Sequence, residues 1–381
     1  MLVTSWSLLL ILLSKLNTKK LLSIFKPILS SLPMQLKIRK SLITSLFITV
    51  LFIQNNLYSN NSLDAIDDFG IISLMYHRFE ENKYPSTNIR INDFIKQLKI
   101  IEENNIEFVN PRNFEVDLKE KKKKRKILLT IDDAFLSFYE NAWPILKEKK
   151  IPFILFVSTE AIGKYGYMNW SQIKEVEQEN FAYIGNHSHT HQYLIDLKKE
   201  GFLEDIKKAN KIFIKELGYN PKYFSYPFGE YNDSIKNYIS KNFDYAFGQH
   251  SGVIDVNKNK YELPRFPINE KYGDLDRFKF LITLHPLQFK NMKPINKMIN
   301  NQNNPPNLIV EFFKQQKNLR NINCFSDEGN EWSKSKIFFK DNILTIKFKD
   351  KFLFRRGRIN CSLNDGGIWR WFGVQFSIKN Y

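Results

Sequence analysis

From residue 71 onward, apolar and polar positions follow two alternating periods. The segments 71–75, 127–131 and 153–157, apolar but for Ser73 and Thr130, have the length of strands buried on both faces, and 182–184, 222–226 and 245–247 extend the series. The segments between them have helical spacing. Over 91–104 the apolar positions are Phe94, Ile95, Leu98 and Ile101, and over 202–217 a similar pattern stops at Gly218. Two further helices are predicted over 139–149, with Pro144 starting or kinking the first, and over 234–242. Strands separated by helices pair in parallel, so the pattern predicts an α/β fold with its chemistry in loops after the strand C-termini. A barrel and an open sheet both satisfy this pattern.

The period changes near residue 290. Residues 291–306 hold Asn, Lys and Pro with little periodicity and predict a linker. Beyond it Leu344, Ile346 and Phe348 alternate with polar residues, as do Phe372, Val374, Phe376 and Ile378, which predicts a small all-β module over 307–381. Its Trp332, Trp369 and Trp371 either stack on sugar rings or fill the core of a small sandwich. Cys324 and Cys361 form no CxxC pair, so a cysteine zinc site is excluded; they make one disulfide if the chain is exported and two thiols otherwise.

At the other end, the apolar run 8–13 is too short to span a bilayer. The run 42–53 follows Lys37, Arg39 and Lys40, the pattern of an export signal or an uncleaved membrane anchor over 1–62, with Met34 as an alternative start. The expected location is therefore periplasmic or extracellular, with membrane association through that segment. The predicted catalytic domain spans 63–290.

Composition narrows the partners. Hydrophobic residues make up 43% of the 381, enough for a substantial core. The net charge of +17 is scattered except at 121–126, a run with neither interleaved aromatics nor a groove-reading motif, so no nucleic-acid partner is expected. A positive surface suits membranes and acidic glycans.

Two motifs carry chemistry, each at the end of a predicted strand. In Thr130-Ile131-Asp132-Asp133, adjacent acids at the mouth of an apolar strand need something to stabilise their charge, and on extended backbone they point to opposite sides. In His187-Ser188-His189-Thr190-His191, His187 and His191 are four apart, which on one helical turn places both imidazoles on one face. Two imidazoles and a carboxylate with an open position form a common catalytic zinc set. A glycoside hydrolase would need acids on opposing strand ends, which the adjacent pair does not supply.

The order of these motifs, followed by Phe224-Ser225-Tyr226-Pro227-Phe228-Gly229, resembles the polysaccharide deacetylase family, and Leu74-Met75-Tyr76-His77-Arg78 resembles its exported subgroup acting on poly-N-acetylglucosamine. The resemblance covers roughly 71–268 and implies a deformed (β/α) barrel that removes acetyl groups from an N-acetylated polysaccharide with a divalent metal ion, zinc foremost. It implies Asp132 as general base and Asp133, His187 and His191 as metal ligands, with Ser188 supporting them. His189 falls at a variable position. His77 becomes the general acid, with His285 its rival and a surface-loop residue otherwise. Many members have an arginine where this chain has Ser225; Arg265, in Leu263-Pro264-Arg265-Phe266-Pro267, takes its place or forms a plain salt bridge. Tyr226, Pro227 and Phe228 would form a wall of the sugar groove or pack the barrel rim. The alternative function is a catalytically inactive, exported glycan-binding protein that keeps the fold.

Overall fold

Six strands pair in parallel in a computed structural model of the chain, which describes residues 69–120, 124–329 and 331–378. They are β1 (Ile71–Tyr76), β2 (Lys126–Asp132), β3 (Phe153–Val157), β4 (Ala182–Asn186), β5 (Tyr223–Ser225) and β6 (Tyr245–Phe247). Side chains alternate across them. Ile127, Leu129 and Ile131 pack with Phe94, Leu98 and Phe138 from the helical side, while Leu128, Ile154 and Phe156 pack with Phe114, Tyr223 and Phe247 on the other. Both faces are buried, which is why these strands read as unbroken apolar runs.

The sheet is a curled half-barrel. Leu263 bridges Phe247 of β6, and Phe266 and Pro267 pair with Leu74 and Met75 of β1, so residues 263–267 lie between the last strand and the first. Arg265, at the middle of this strap, is thereby carried inside the curl.

Helices α1 (Ile91–Glu103), α2 (Trp143–Lys149), α3 (Trp170–Glu177), α4 (Lys199–Leu217) and α5 (Asp233–Asn242) connect the strands. Pro144 stands in the first turn of α2, directly after a wide turn over Phe138–Ala142; without an N–H it cannot continue an α-ladder. Gly218 ends α4 at φ 81°. The eight-residue α3 is too short to announce itself by periodicity, but its reciprocal Asn169–Gln172 cap was readable.

Ile66–Tyr381 is one compact unit, and its C-terminal part is a two-sheet β module. One sheet runs His285–Pro286, Ile368–Ile378, Arg356–Asp365, Asn323–Asp327, Trp332–Lys334, with Met298–Ile299 on Ile368–Ile378; the other runs Phe289–Lys293, Leu308–Phe312, Ile343–Lys347, Lys336–Lys340. Val310, Phe312, Leu344, Ile346, Ile359 and Phe376 fill the space between them. The expected linker over 291–306 differs accordingly: it includes most of Phe289–Lys293 and all of Met298–Ile299. Phe289–Lys293 is an edge strand with mostly solvated side chains, which erases the apolar period.

Cys324 and Cys361 face each other across paired strands and form a buried disulfide. Closing a loop of sequence separation 37 is worth about 3–4 kcal/mol on the chain-entropy model. Trp369 and Trp371 do not fill the sandwich core. They pack on the barrel's cluster, Trp369 edge-on to Phe280 at 5.7 Å, and Trp371 Nε1 donates to Ser251 Oγ at 3.1 Å.

The expected export signal or anchor, with its 42–53 run and Met34, lies outside the described residues. Among the described residues no helix is long and apolar enough to cross a membrane.

Candidate metal centre and its cleft

Asp132 ends β2, and the backbone turns immediately after it. Asp133 has φ 75° and Ala134 φ 55°, left-handed values that separate the two carboxylates. Asp132 is buried; Asp133 reaches the cleft.

The segment after β4 is an irregular loop, not the helical turn that the spacing of His187 and His191 suggested. Ser188 (φ 70°) and His191 (φ 53°) are both left-handed. Such conformations cost non-glycine residues about 1–2 kcal/mol each, so they persist only where partners fix them. Here Ser188 N donates to Asn186 Oδ1 at 2.7 Å, Ser188 Oγ accepts from His191 N at 3.1 Å, and Asp205 of α4 accepts from the backbone of His189 and Thr190 at 2.8 and 3.0 Å. The result brings the two rings to 4.8 Å between centroids.

One oxygen of Asp133 lies 3.5 Å from His187 Nε2 and 3.3 Å from His191 Nε2. The three ligand atoms fall within 4.8 Å of one another. His187 Nδ1 lies 2.7 Å from the Ser225 carbonyl, which only accepts, so the proton sits on Nδ1 and the Nε2 lone pair faces the acid cluster. That Nε2 is buried with no hydrogen-bond partner, the condition a metal ion would satisfy. Burial pushes the imidazole pKa down to about 4, against the pull of Asp132, so the ring is neutral and able to ligate near pH 7.

Asp132 is held by Arg265. The guanidinium donates to both carboxylate oxygens, at 2.7 and 2.8 Å, and is itself fixed by the Gly248 carbonyl (3.0 Å), Ser225 Oγ (2.8 Å) and Thr130 Oγ1 (3.2 Å). Both side chains are fully buried. Burial raises the Asp132 carboxyl pKa, but Arg265 and His187 more than offset it and hold the group well below the usual carboxylate range.

His77 follows β1 with Nε2 3.9 Å from Asp132 Oδ2. Burial lowers its pKa below the ordinary 6.5, and Asp132 and Asp133 counter only in part.

Of Tyr226, Pro227 and Phe228, Phe228 alone reaches the cleft: its ring meets His191 edge-on at 4.7 Å and stacks on Tyr193 at 3.9 Å. Tyr226 and Pro227 are buried beneath the rim, the Tyr226 hydroxyl donating to the Tyr261 carbonyl at 3.1 Å. His189 pairs with Thr159 Oγ1 at 2.8 Å, away from the ligand set. His285 is no surface-loop residue. It is nearly buried in the strand pairing Arg370 and Trp371, with Arg125 2.9 Å from its Nε2. Asn186 and Asp205 were not legible in advance, because they act on backbone N–H groups and belong to no motif.

The sequence model of the family described as "Polysaccharide deacetylase" matches residues 119–247, the stretch that carries both motifs. Those residues form a polysaccharide deacetylase domain. A poly-β-1,6-N-acetyl-D-glucosamine N-deacetylase of Staphylococcus aureus (strain MSSA476) is 25% identical over 286 residues, covering 65% of this chain and 97% of the relative. The enzyme of that name from Staphylococcus epidermidis is 27% identical over 235 residues, covering 58% and 78%. Among solved structures, IcaB from Ammonifex degensii has 25% identity and a TM-score of 0.50, covering 56% of this chain and 97% of its own. The Streptococcus pyogenes deacetylase PplD, at 22% identity and a TM-score of 0.52 over 56% and 98%, shares the fold. The chain is thus a polysaccharide deacetylase, a hydrolase acting on carbon–nitrogen bonds other than peptide bonds.

Proposed function

We propose that this chain removes acetyl groups from N-acetylglucosamine residues of a poly-β-1,6-linked polymer, with Asp133, His187 and His191 holding one divalent cation. The observation that carries the reading is the unpartnered, buried His187 Nε2 facing Asp133 and His191, beside an acid clamped by Arg265. The donor set of one carboxylate and two imidazoles fits zinc. A cation there supplies Lewis acidity to the acetamide carbonyl and acidity to the attacking water.

The protein's own residues do the rest. Asp132, kept ionised by Arg265, accepts the water's proton. A carboxylate of such low basicity would suffice where a cation held by Asp133, His187 and His191 acidified that water. Arg265 touches no substrate atom; it positions Asp132 and fixes its charge. His77, as imidazolium, donates a proton to the departing nitrogen, without which the amine is a poor leaving group. Ser188 holds the His191 backbone, and Phe228 presents an apolar face beside His191 for a sugar ring. An inactive glycan-binding protein would have no need of this set.

Export is part of the same proposal. A buried disulfide fits an oxidising compartment, and the 1–62 segment serves as signal or anchor.

Acetate release from β-1,6-linked N-acetylglucosamine oligomers tests the reading: turnover that stops with a chelator and returns with zinc supports it, and turnover indifferent to chelation contradicts it. His77→Gln is expected to lower kcat/KM by about 10²–10⁴-fold. The wild-type rate falls as pH rises through the pKa of His77, since the protonated ring is the active form. The variant loses that alkaline limb, which a pH–rate profile reads directly.

A further inference from the structure

The cleft above the metal centre has two walls, and only one belongs to the barrel. A space of about 750 Å³ is lined both by His77, Asp133, His191 and Phe228 of the barrel and by Trp332, Arg356, Arg358 and Trp371 of the β module. We propose that the β module is the distal wall of the polymer-binding cleft and that Arg358, with Trp332 two strands away across Asp327, forms a subsite for a sugar bearing an anionic substituent. This rests on the deacetylase reading and names a feature of the polymer it takes.

Arg358 carries the argument. Among the described residues its guanidinium makes no hydrogen bond and no ion pair within 4.0 Å, and its Nε is buried without a partner. The other arginines near the cleft are taken up. Arg265 is clamped on Asp132, Arg277 donates to the Tyr272 carbonyl, and Arg355 binds Glu230 through Nε at 3.0 Å and Asp196 at 2.8 Å. Arg356 competes for the same Glu230 at 3.7 Å, so one carboxylate serves two guanidiniums. Asp327 stands directly across from Arg358 on the neighbouring strand, and it, Tyr272 and Glu230 act on the guanidinium without a hydrogen bond or an ion pair within 4.0 Å. A guanidinium held this way is short of acceptors, and its planar fork matches a carboxylate or phosphate.

Trp332 supplies the apolar half. It lies on the edge strand Trp332–Lys334 and remains 42% exposed at the cleft, where its face is free to stack on a pyranose ring. The charge balance also disfavours the product. Deacetylation leaves an amine that is cationic at neutral pH, and Arg356 and Arg358 repel it from this wall. The wall therefore selects the acetylated, anionically substituted stretch of a polymer over the stretch already processed.

Binding separates this inference from the catalytic reading. The probes are a β-1,6-linked N-acetylglucosamine hexamer and the same hexamer O-carboxymethylated, titrated calorimetrically into the full chain bearing D132N, so that turnover plays no part. The carboxymethylated hexamer is expected to bind at least about tenfold tighter in low salt, with the advantage shrinking in 0.5 M salt. Arg358→Gln is expected to erase the advantage and Arg358→Lys to keep part of it, while Trp332→Ala weakens both hexamers. Equal affinities for the two hexamers, or an advantage that survives Arg358→Gln, would overturn the proposal. Should Arg358→Gln fail to fold, the lysine variant and the salt dependence decide it. A phosphorylated hexamer that gains the same Arg358-dependent advantage as the carboxymethylated one supports the same subsite. Acetate release by the unmutated chain judges the deacetylase reading separately.

Discussion

Asp132→Asn is expected to lower acetate release by about 10²–10⁴-fold while leaving the bound metal in place. The substitution keeps shape and volume but replaces a proton acceptor with a group that cannot take the water's proton. Asp132 is not one of the three groups that converge on the ligand position; those are Asp133, His187 and His191. Its neighbours are Arg265, at 2.7 and 2.8 Å, and the imidazoles of His187 and His77 at 3.7 and 3.9 Å. Metal content and turnover should therefore separate in this variant and fall together in His187→Ala. Acetate assays paired with elemental analysis check both.

Arg265→Ala is expected to have the largest effect on stability. It leaves a fully buried carboxylate without the guanidinium that donates to both its oxygens, the situation that costs about 3–5 kcal/mol when one partner of a buried pair is removed. The pH dependence should reverse as well. In the unmodified protein the folded-state pKa of Asp132 lies below its unfolded value. Its contribution to stability is then present above the unfolded pKa near 4 and is lost as pH falls through the folded value. Without Arg265, burial, which raises the pKa, dominates. The folded-state value then exceeds the unfolded one, and stability is greatest at low pH and declines as pH rises through it. The same change should give kcat/KM an acidic limb in the working range, because the base must now be deprotonated first. Urea unfolding across pH 4–8 and a pH–rate profile distinguish this from a plain loss of packing, which would lower stability equally at every pH.

The barrel strands were legible because burial on both faces leaves an uninterrupted apolar run, as in β2 and β3. Asp132-Asp133 and the histidine cluster were legible because ligands at a strand end must be close in sequence when one loop supplies them. How that loop is shaped was not. Ser188 and His191 adopt left-handed backbone that no residue type advertises here, so a helical turn was inferred where Asn186 and Asp205 instead hold an irregular one. Arg265 is 133 residues from Asp132, and only the resemblance connected them; periodicity carries no record of a strap that closes a sheet. Of the two places open to Tyr226, the groove wall and the barrel rim, it takes the rim. A tyrosine beside a motif looks available until a buried acceptor, here the Tyr261 carbonyl, fixes its hydroxyl inside. The tryptophans were ambiguous for a related reason. Composition gives their size, whereas their place between module and barrel depends on Phe280 and Ser251, far away in the chain.

One cation shared by Asp133, His187 and His191 would underlie all of this chemistry, and elemental analysis of the purified full chain and its Asp133→Ala variant measures it directly. About one equivalent of divalent metal per chain, removed by dialysis against chelator and absent from the variant at matched fold by circular dichroism, is the predicted result. A variant that keeps the full equivalent, or an unmutated chain that takes up none from zinc-containing buffer, would contradict it.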